Sequence, residues 1–117
     1  MSEETPYIIV TTTVDTEEAA LAITNAILLP RLASCVQANP IHSSFWWQGS
    51  LQHTDEIRLQ AKAPEANGEA LVAAIAAVHP YEVPEIIITP ILDGHPPYLE
   101  WIDAETRPAG EEHGQPE

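Results

Sequence analysis

The stretch over residues 51–63 most narrows what this chain can become. Ile57, Leu59, Ala61 and Ala63 alternate with Glu56, Arg58, Gln60 and Lys62, the two-residue period of a strand with one apolar and one polar face. Just ahead, residues 41–47 read as a second strand ending in Phe45-Trp46-Trp47, and Gly49-Ser50 reads as a two-residue turn with glycine at the first central position. The result is a long antiparallel hairpin. On this turn Trp46 lies opposite His53, Trp47 opposite Gln52, Ile41 opposite Arg58 and His42 opposite Ile57, so the two hairpin histidines do not face each other. Upstream, Cys35-Val36 opens the strand and Asn39-Pro40 interrupts it, which marks a bulge or a sheet edge.

The remaining segments fit around that hairpin. Tyr7-Ile8-Ile9-Val10, prolonged by three threonines, reads as a central strand covered on both faces. Asp15 with Glu18 three residues on, plus Glu17, fits a helix start. Ala19, Ile23, Ala26 and Ile27 then recur at helical spacing, and Pro30 ends the helix near Leu29. Pro64-Glu65-Ala66 starts a second helix with Leu71, Ala74, Ile75 and Val78 as its buried stripe and Gly68 as an exposed weak spot. Ile86-Ile87-Ile88 reads as a buried strand, Asp93-Gly94 as a turn, and Pro96 or Pro97 opens a last helix with Tyr98, Leu99, Trp101 and Ile102. The order strand, helix, strand, strand, helix, strand, helix predicts an α+β, ferredoxin-like split βαβ sandwich, βαββαβ plus a C-terminal helix. Its four-stranded sheet has helices on one face, so the other face needs a partner. The strands are longer than such a sheet requires, and the excess is available to pair with another chain's edge.

Size and charge bound the function. A chain of 117 residues with 44% apolar residues is one domain with a core. The expected boundaries are a flexible N-terminus at 1–6, one domain at 7–106 and a mobile acidic tail at 107–117. Eighteen acids face four basic residues, Arg31, Arg58, Lys62 and Arg107, for a formal charge of -14. Such a surface repels phosphate backbones and anionic lipid, which excludes nucleic-acid and membrane roles as expectations. One cysteine, no apolar span and an acidic rather than basic start give no disulfide framework and no recognisable leader, so a reducing cytoplasmic setting is expected.

Chemistry concentrates in His79-Pro80-Tyr81-Glu82-Val83-Pro84-Glu85. Pro80 forces the preceding helix to stop, and Pro84 fixes the chain again before the strand. Between them an imidazole, a phenol and carboxylates sit at the mouth of the sheet. His79 is the best single nitrogen ligand for a metal; it equally fits a helix cap. Tyr81 and Trp47 are candidate liners of an intersubunit cleft, or interface core. Glu82 and Glu85 suit a hard cation if carboxylates of neighbouring chains converge, or form a solvated rim. Lys62 either neutralises a bound anion or pairs with Glu56 or Glu85. Cys35, among Leu32, Ala33 and Val36, reads as a small buried hydrophobe.

Four stretches in order, Arg31-Leu32-Ala33-Ser34-Cys35-Val36, Phe45-Trp46-Trp47-Gln48-Gly49, His79-Pro80-Tyr81-Glu82-Val83-Pro84-Glu85 and Tyr98-Leu99-Glu100-Trp101-Ile102, resemble the divalent-cation tolerance family usually called CutA. The resemblance covers roughly residues 7–105. It implies a homotrimer with the PII-like fold and strands extended across subunit boundaries, linked to copper tolerance and divalent-cation binding, with no chemical transformation attached. A divalent metal, copper by resemblance, is the implied cofactor. The family's bacterial copper pattern uses a cysteine at the end of the first strand and two histidines before the Pro-Tyr. Those positions fall here near Thr12, on Val78 and on His79, and a hydroxyl and an isopropyl do not replace a thiolate and an imidazole for copper. The expectation is therefore a non-enzymatic homotrimeric divalent-cation (copper) tolerance protein. Its alternatives are a PII-like sensor holding a small anionic metabolite at intersubunit clefts and a structural trimeric scaffold.

Overall fold

The computed structural model describes residues 6–107. In chain order the elements are β1 (Tyr7–Val14), α1 (Glu17–Leu28), β2 (Cys35–Trp47), β3 (Ser50–Pro64), α2 (Gly68–Val78), β4 (Ile86–Ile91) and α3 (Pro96–Glu105), with one 3-10 turn (Glu65–Asn67) leading into α2. The four strands form one antiparallel sheet in the order β2-β3-β1-β4. This is the expected α+β ferredoxin-like arrangement. The segments expected to be flexible, 1–6 and 107–117, lie outside the described residues except for Pro6 and Arg107.

Alternation decides which face is the core. Ile8, Val10, Thr12 and Val14 of β1 lie opposite Ala63, Ala61, Leu59 and Ile57 of β3, and this row packs against Ile23 and Ile27 of α1 and Leu71 and Ile75 of α2. The small residues of β3 let the helices approach closely. Gly68 is buried rather than exposed as expected, because a Cβ there would come within 3.3 Å of the Ile8 and Ile88 Cδ1 atoms. Val78 is the stripe residue that misses the core: it is the last helical residue and stays exposed. Thr16, not Asp15, caps α1; its Oγ1 accepts the Ala19 amide at 3.0 Å, which leaves the Asp15 carboxylate free for other work.

The hairpin turn also differs. Gln48 and Gly49 are its central residues, with φ of 51° and 85°, and Trp47 pairs with Ser50. Two consecutive left-handed residues make the turn that matches strand twist, and glycine takes the second position at no steric cost. Moving the turn by one residue changes every partner by two, so each side chain keeps its face while its neighbour changes. Trp46 lies opposite Leu51, Phe45 opposite Gln52, His42 opposite Asp55, and Ser44 opposite His53. Pro40 sits on the edge strand within an unbroken register, opposite Ile57, so the edge reading of Asn39-Pro40 holds and no bulge is needed.

Two features of the single chain are left uncovered. Because β1 ends at Val14 opposite Ile57, residues 41–47 and 50–56 project past the third strand as a two-stranded arm. Its tip exposes aromatics on both faces: Trp46 is 73% exposed, with Phe45, Trp47 and Leu51 also open. At the opposite edge β4 is not buried as expected. It has a neighbour only in β1, and Ile87 and Ile88 remain exposed. Helix α3 covers just one end of the helix-free sheet face. Ile102 is fully buried there, Tyr7 donates its hydroxyl proton to Asp103 Oδ2 at 2.6 Å, and Arg31 Nη1 donates to the Glu105 carbonyl at 3.0 Å and carboxylate at 3.2 Å.

Candidate functional site

Tyr81, Glu82, Val83 and Glu85 follow the end of α2, where Pro80 turns the chain back across the root of the projecting arm. They line a cleft of about 890 Å3 whose other walls include Phe45, Trp47, Thr13 and Glu56. Trp47, Tyr81, Glu82 and Glu85, four of the residues expected at an intersubunit cleft, lie around this hollow of the single chain, and Lys62 and His79 are not among its lining residues. Sequence reasoning missed Asp15 and Glu56. The signal for Glu56 was its place at the head of the polar row of β3, since that row had to face away from the helices.

The centre of the cleft is a tight phenol–carboxylate contact. Tyr81 donates its hydroxyl proton to Glu56 Oε2 at 2.6 Å, and Glu56 is only 7% exposed. Burial, this hydrogen bond, and the negative charges of Glu56 and Asp15 together push the Tyr81 hydroxyl well above the usual tyrosine range. The proton therefore stays on the phenol, and the pair acts as a neutral donor clamped on an anion.

His79 holds Tyr81 in place. Its Nδ1 accepts the Tyr81 amide proton at 3.1 Å, so the remaining ring proton is on Nε2, which donates to the Thr13 carbonyl at 2.9 Å. The His79 and Tyr81 rings meet edge to face with centroids 4.8 Å apart. Both imidazole nitrogens are thus committed to protein partners, and a metal at His79 has to break one of these bonds. The helix-cap alternative is met in altered form: His79 is the C-cap residue of α2, yet its ring ties β1 to the following loop.

Lys62 stands apart from the other candidates. It is six residues along β3 from Glu56, about 20 Å at 3.3 Å per residue. Its Nζ donates to Gln37 Oε1 at 2.6 Å and sits 6.0 Å from the centre of the Tyr98 ring. It pairs with neither Glu56 nor Glu85. Arg58, on the helix-free face opposite Asn39 and Thr13, has a buried Nε with no hydrogen-bond partner, an unusual state for a cation inside a sheet face.

The residues at the positions where the resemblance implied copper ligands do not suit copper. Thr12 is buried in the core with an unpartnered hydroxyl, Val78 is exposed on the helix end, and the His79 nitrogens are occupied. No soft donor joins them. Among the described residues no group of three or more His, Cys, Asp or Glu is arranged to hold an ion, and no helix is long and apolar enough to cross a membrane.

Comparison with known proteins agrees with the fold and the motifs. The family model described as CutA1 divalent ion tolerance protein matches residues 8–105. The chain is 39% identical over 107 residues to a rice protein called Protein CutA 1, chloroplastic, covering 91% of this chain and 60% of that protein. It is 37% identical over 99 residues to the divalent-cation tolerance protein CutA of Thermus thermophilus, covering 84% and 96%. The chain thus spans about three-fifths of the plant relative's length and nearly all of the bacterial one. The crystal structure of CutA1 from Oryza sativa superposes with a TM-score of 0.83 at 39% identity, covering 89% of this chain and 96% of that one. The Archaeoglobus fulgidus structure, described as a periplasmic divalent cation tolerance protein, superposes at 0.84 with 30% identity, covering 86% and 99%. With the fold, the linked motifs and these matches in agreement, the chain belongs to the CutA1 divalent ion tolerance family.

Proposed function

We propose that this protein acts as a homotrimer that binds divalent cations without catalysing a reaction, its cleft completed by a neighbouring copy. The observation that carries this reading is the lining of the cleft. Asp15, Glu56, Glu82 and Glu85 contribute carboxylates, and no basic side chain is among the lining residues. A small anion meets carboxylates and no basic side chain among the lining residues, and Lys62 is engaged elsewhere on the sheet, so the lining disfavours the anionic-metabolite reading. Oxygen-rich coordination of a hard or borderline ion, drawing on Glu82 and Glu85 from more than one chain, fits better than thiolate and imidazole coordination of copper.

Trimer formation is supported by what the single chain leaves open. The arm exposes Phe45, Trp46, Trp47 and Leu51, β4 offers an unpaired edge with exposed isoleucines, and Arg58 lacks a partner on the helix-free face. Contiguous apolar surface and free strand edges on this scale mark an interaction surface. Association of copies through arm and sheet face answers all three at once.

The test is native mass measurement together with calorimetric titration of magnesium, zinc, nickel and copper into the parent and into the Glu82→Gln/Glu85→Gln double variant. The expected result is a trimer with saturable binding that the double variant weakens. A folded monomer, or no saturable binding up to about 1 mM, the weak end of protein oxygen sites, overturns the reading. A trimer without any ligand would leave the scaffold.

A further inference from the structure

The projecting arm carries a second group of polar side chains, His42, Ser44, His53 and Asp55, of which only Ser44 also borders the cleft. His42 lies opposite Asp55 and Ser44 opposite His53, so all four side chains stand on one face of the same ladder. His42 Nδ1 is 2.5 Å from Asp55 Oδ1, and His53 Nδ1 is 2.9 Å from Ser44 Oγ. Neither Nε2 has a hydrogen-bond partner among the described residues. His42 and His53 are diagonal neighbours on that face, a relation that puts Cα atoms about 7–8 Å apart and side chains within mutual reach. Asp15 borders the same hollow.

We propose that His42 and His53 form a surface site for one borderline divalent ion, Cu(II), Ni(II) or Zn(II), with Asp55 and Ser44 orienting the two imidazoles from behind. The geometry is that of metal-binding histidines generally: one ring nitrogen is tied to a carboxylate or hydroxyl, which fixes the tautomer and raises the basicity of the other. Binding sets both rings with the proton on Nδ1, donated to Asp55 and to Ser44, and the lone pair on Nε2. Two imidazoles at metal–nitrogen lengths of about 2.0–2.1 Å make an open site. Water fills the remaining positions. Imidazole donors select this class of ion over magnesium or calcium, and the strongly acidic chain concentrates cations near it. The site goes beyond the cleft reading, and needs neither Glu82 nor Glu85.

The experiment uses the full chain. Substoichiometric Ni(II) is added while imidazole resonances are followed by NMR, and Zn(II) is titrated calorimetrically into the parent, His42→Ala/His53→Ala and Asp55→Asn. The expected results are broadening of His42 and His53 ahead of the other three histidines, loss of the zinc isotherm component in the double variant, and about 10–100-fold weaker binding in Asp55→Asn. Equal broadening of all five histidines, or a zinc isotherm indifferent to the double substitution, overturns the proposal. The nickel experiment on the parent decides the matter even if a variant folds poorly. Zinc or magnesium binding that is lost in Glu82→Gln/Glu85→Gln but unchanged in His42→Ala/His53→Ala sinks the arm site and spares the cleft. Absence of any divalent binding sinks both.

Discussion

Replacing Tyr81 by phenylalanine isolates the contact at the centre of the cleft. The ring keeps its edge-to-face packing on His79 at 4.8 Å, and its amide still reaches His79 Nδ1, so only the hydroxyl is lost. That hydroxyl is the 2.6 Å donor to a carboxylate that is 7% exposed. A hydrogen bond to a charged group contributes about 1.5–3 kcal/mol, most of it as the cost of leaving the buried anion unpaired. At about 4 °C per kcal/mol for a chain of this size, the melting temperature should fall by roughly 6–12 °C. Thermal melts of Tyr81→Phe, Glu56→Gln and the double variant at fixed protein concentration form a cycle that reports the coupling directly. In the Glu56→Gln background the same change should cost no more than about 1 kcal/mol, because the acceptor is then neutral. A Tyr81→Phe cost below about 0.5 kcal/mol, the usual surface value, refutes the reasoning. So does an equal cost in both backgrounds.

Two further outcomes follow from the same kind of contact. The Tyr7 hydroxyl, bonded to Asp103 and partly buried, is pushed up to about 12. The folded state keeps a proton that the unfolded tyrosine loses near pH 10, so this contribution is intact below pH 10 and disappears as pH rises towards 12. Tyr7→Phe should remove part of the alkaline fall in melting temperature over that window, and a melting curve parallel to the parent's disproves the link. Arg31, at φ 62, fastens the C-terminal end of α3 through Glu105. Arg31→Ala should speed amide hydrogen exchange in α3 while the amides of β1 and β3 keep their protection, and uniform change across the chain rejects that role.

How much of this was legible beforehand depended on the range of the signal. The alternation of Ile57, Leu59, Ala61 and Ala63, the Pro80 stop and the Pro96 start are local, and each put its element in the right place. Features set by one element's distance from another were not. Gly68 read as a weak spot because nothing in the sequence places Ile8 and Ile88 against it. The hairpin turn slid by one residue because Gly49 is acceptable at either central position, and only pairing along the whole ladder chooses. In the site, the motifs drew attention to Trp47, Tyr81, Glu82 and Glu85, which line one hollow of the single chain. Lys62 was grouped with them by face alone, and face says nothing about distance along a strand.

By itself the sequence determined the order of elements, the face each strand gives to the helices, the acidity of the surface and the set of groups able to do chemistry. These follow from side-chain periodicity and backbone restrictions that act within a few residues. The tertiary structure decided how those groups are used. It committed both nitrogens of His79 to Thr13 and Tyr81, buried Glu56 under the Tyr81 hydroxyl, and freed the outer nitrogens of His42 and His53 on the arm. A hydrogen-bond partner is a matter of position to within a fraction of an ångström, and only the packed chain sets position that finely.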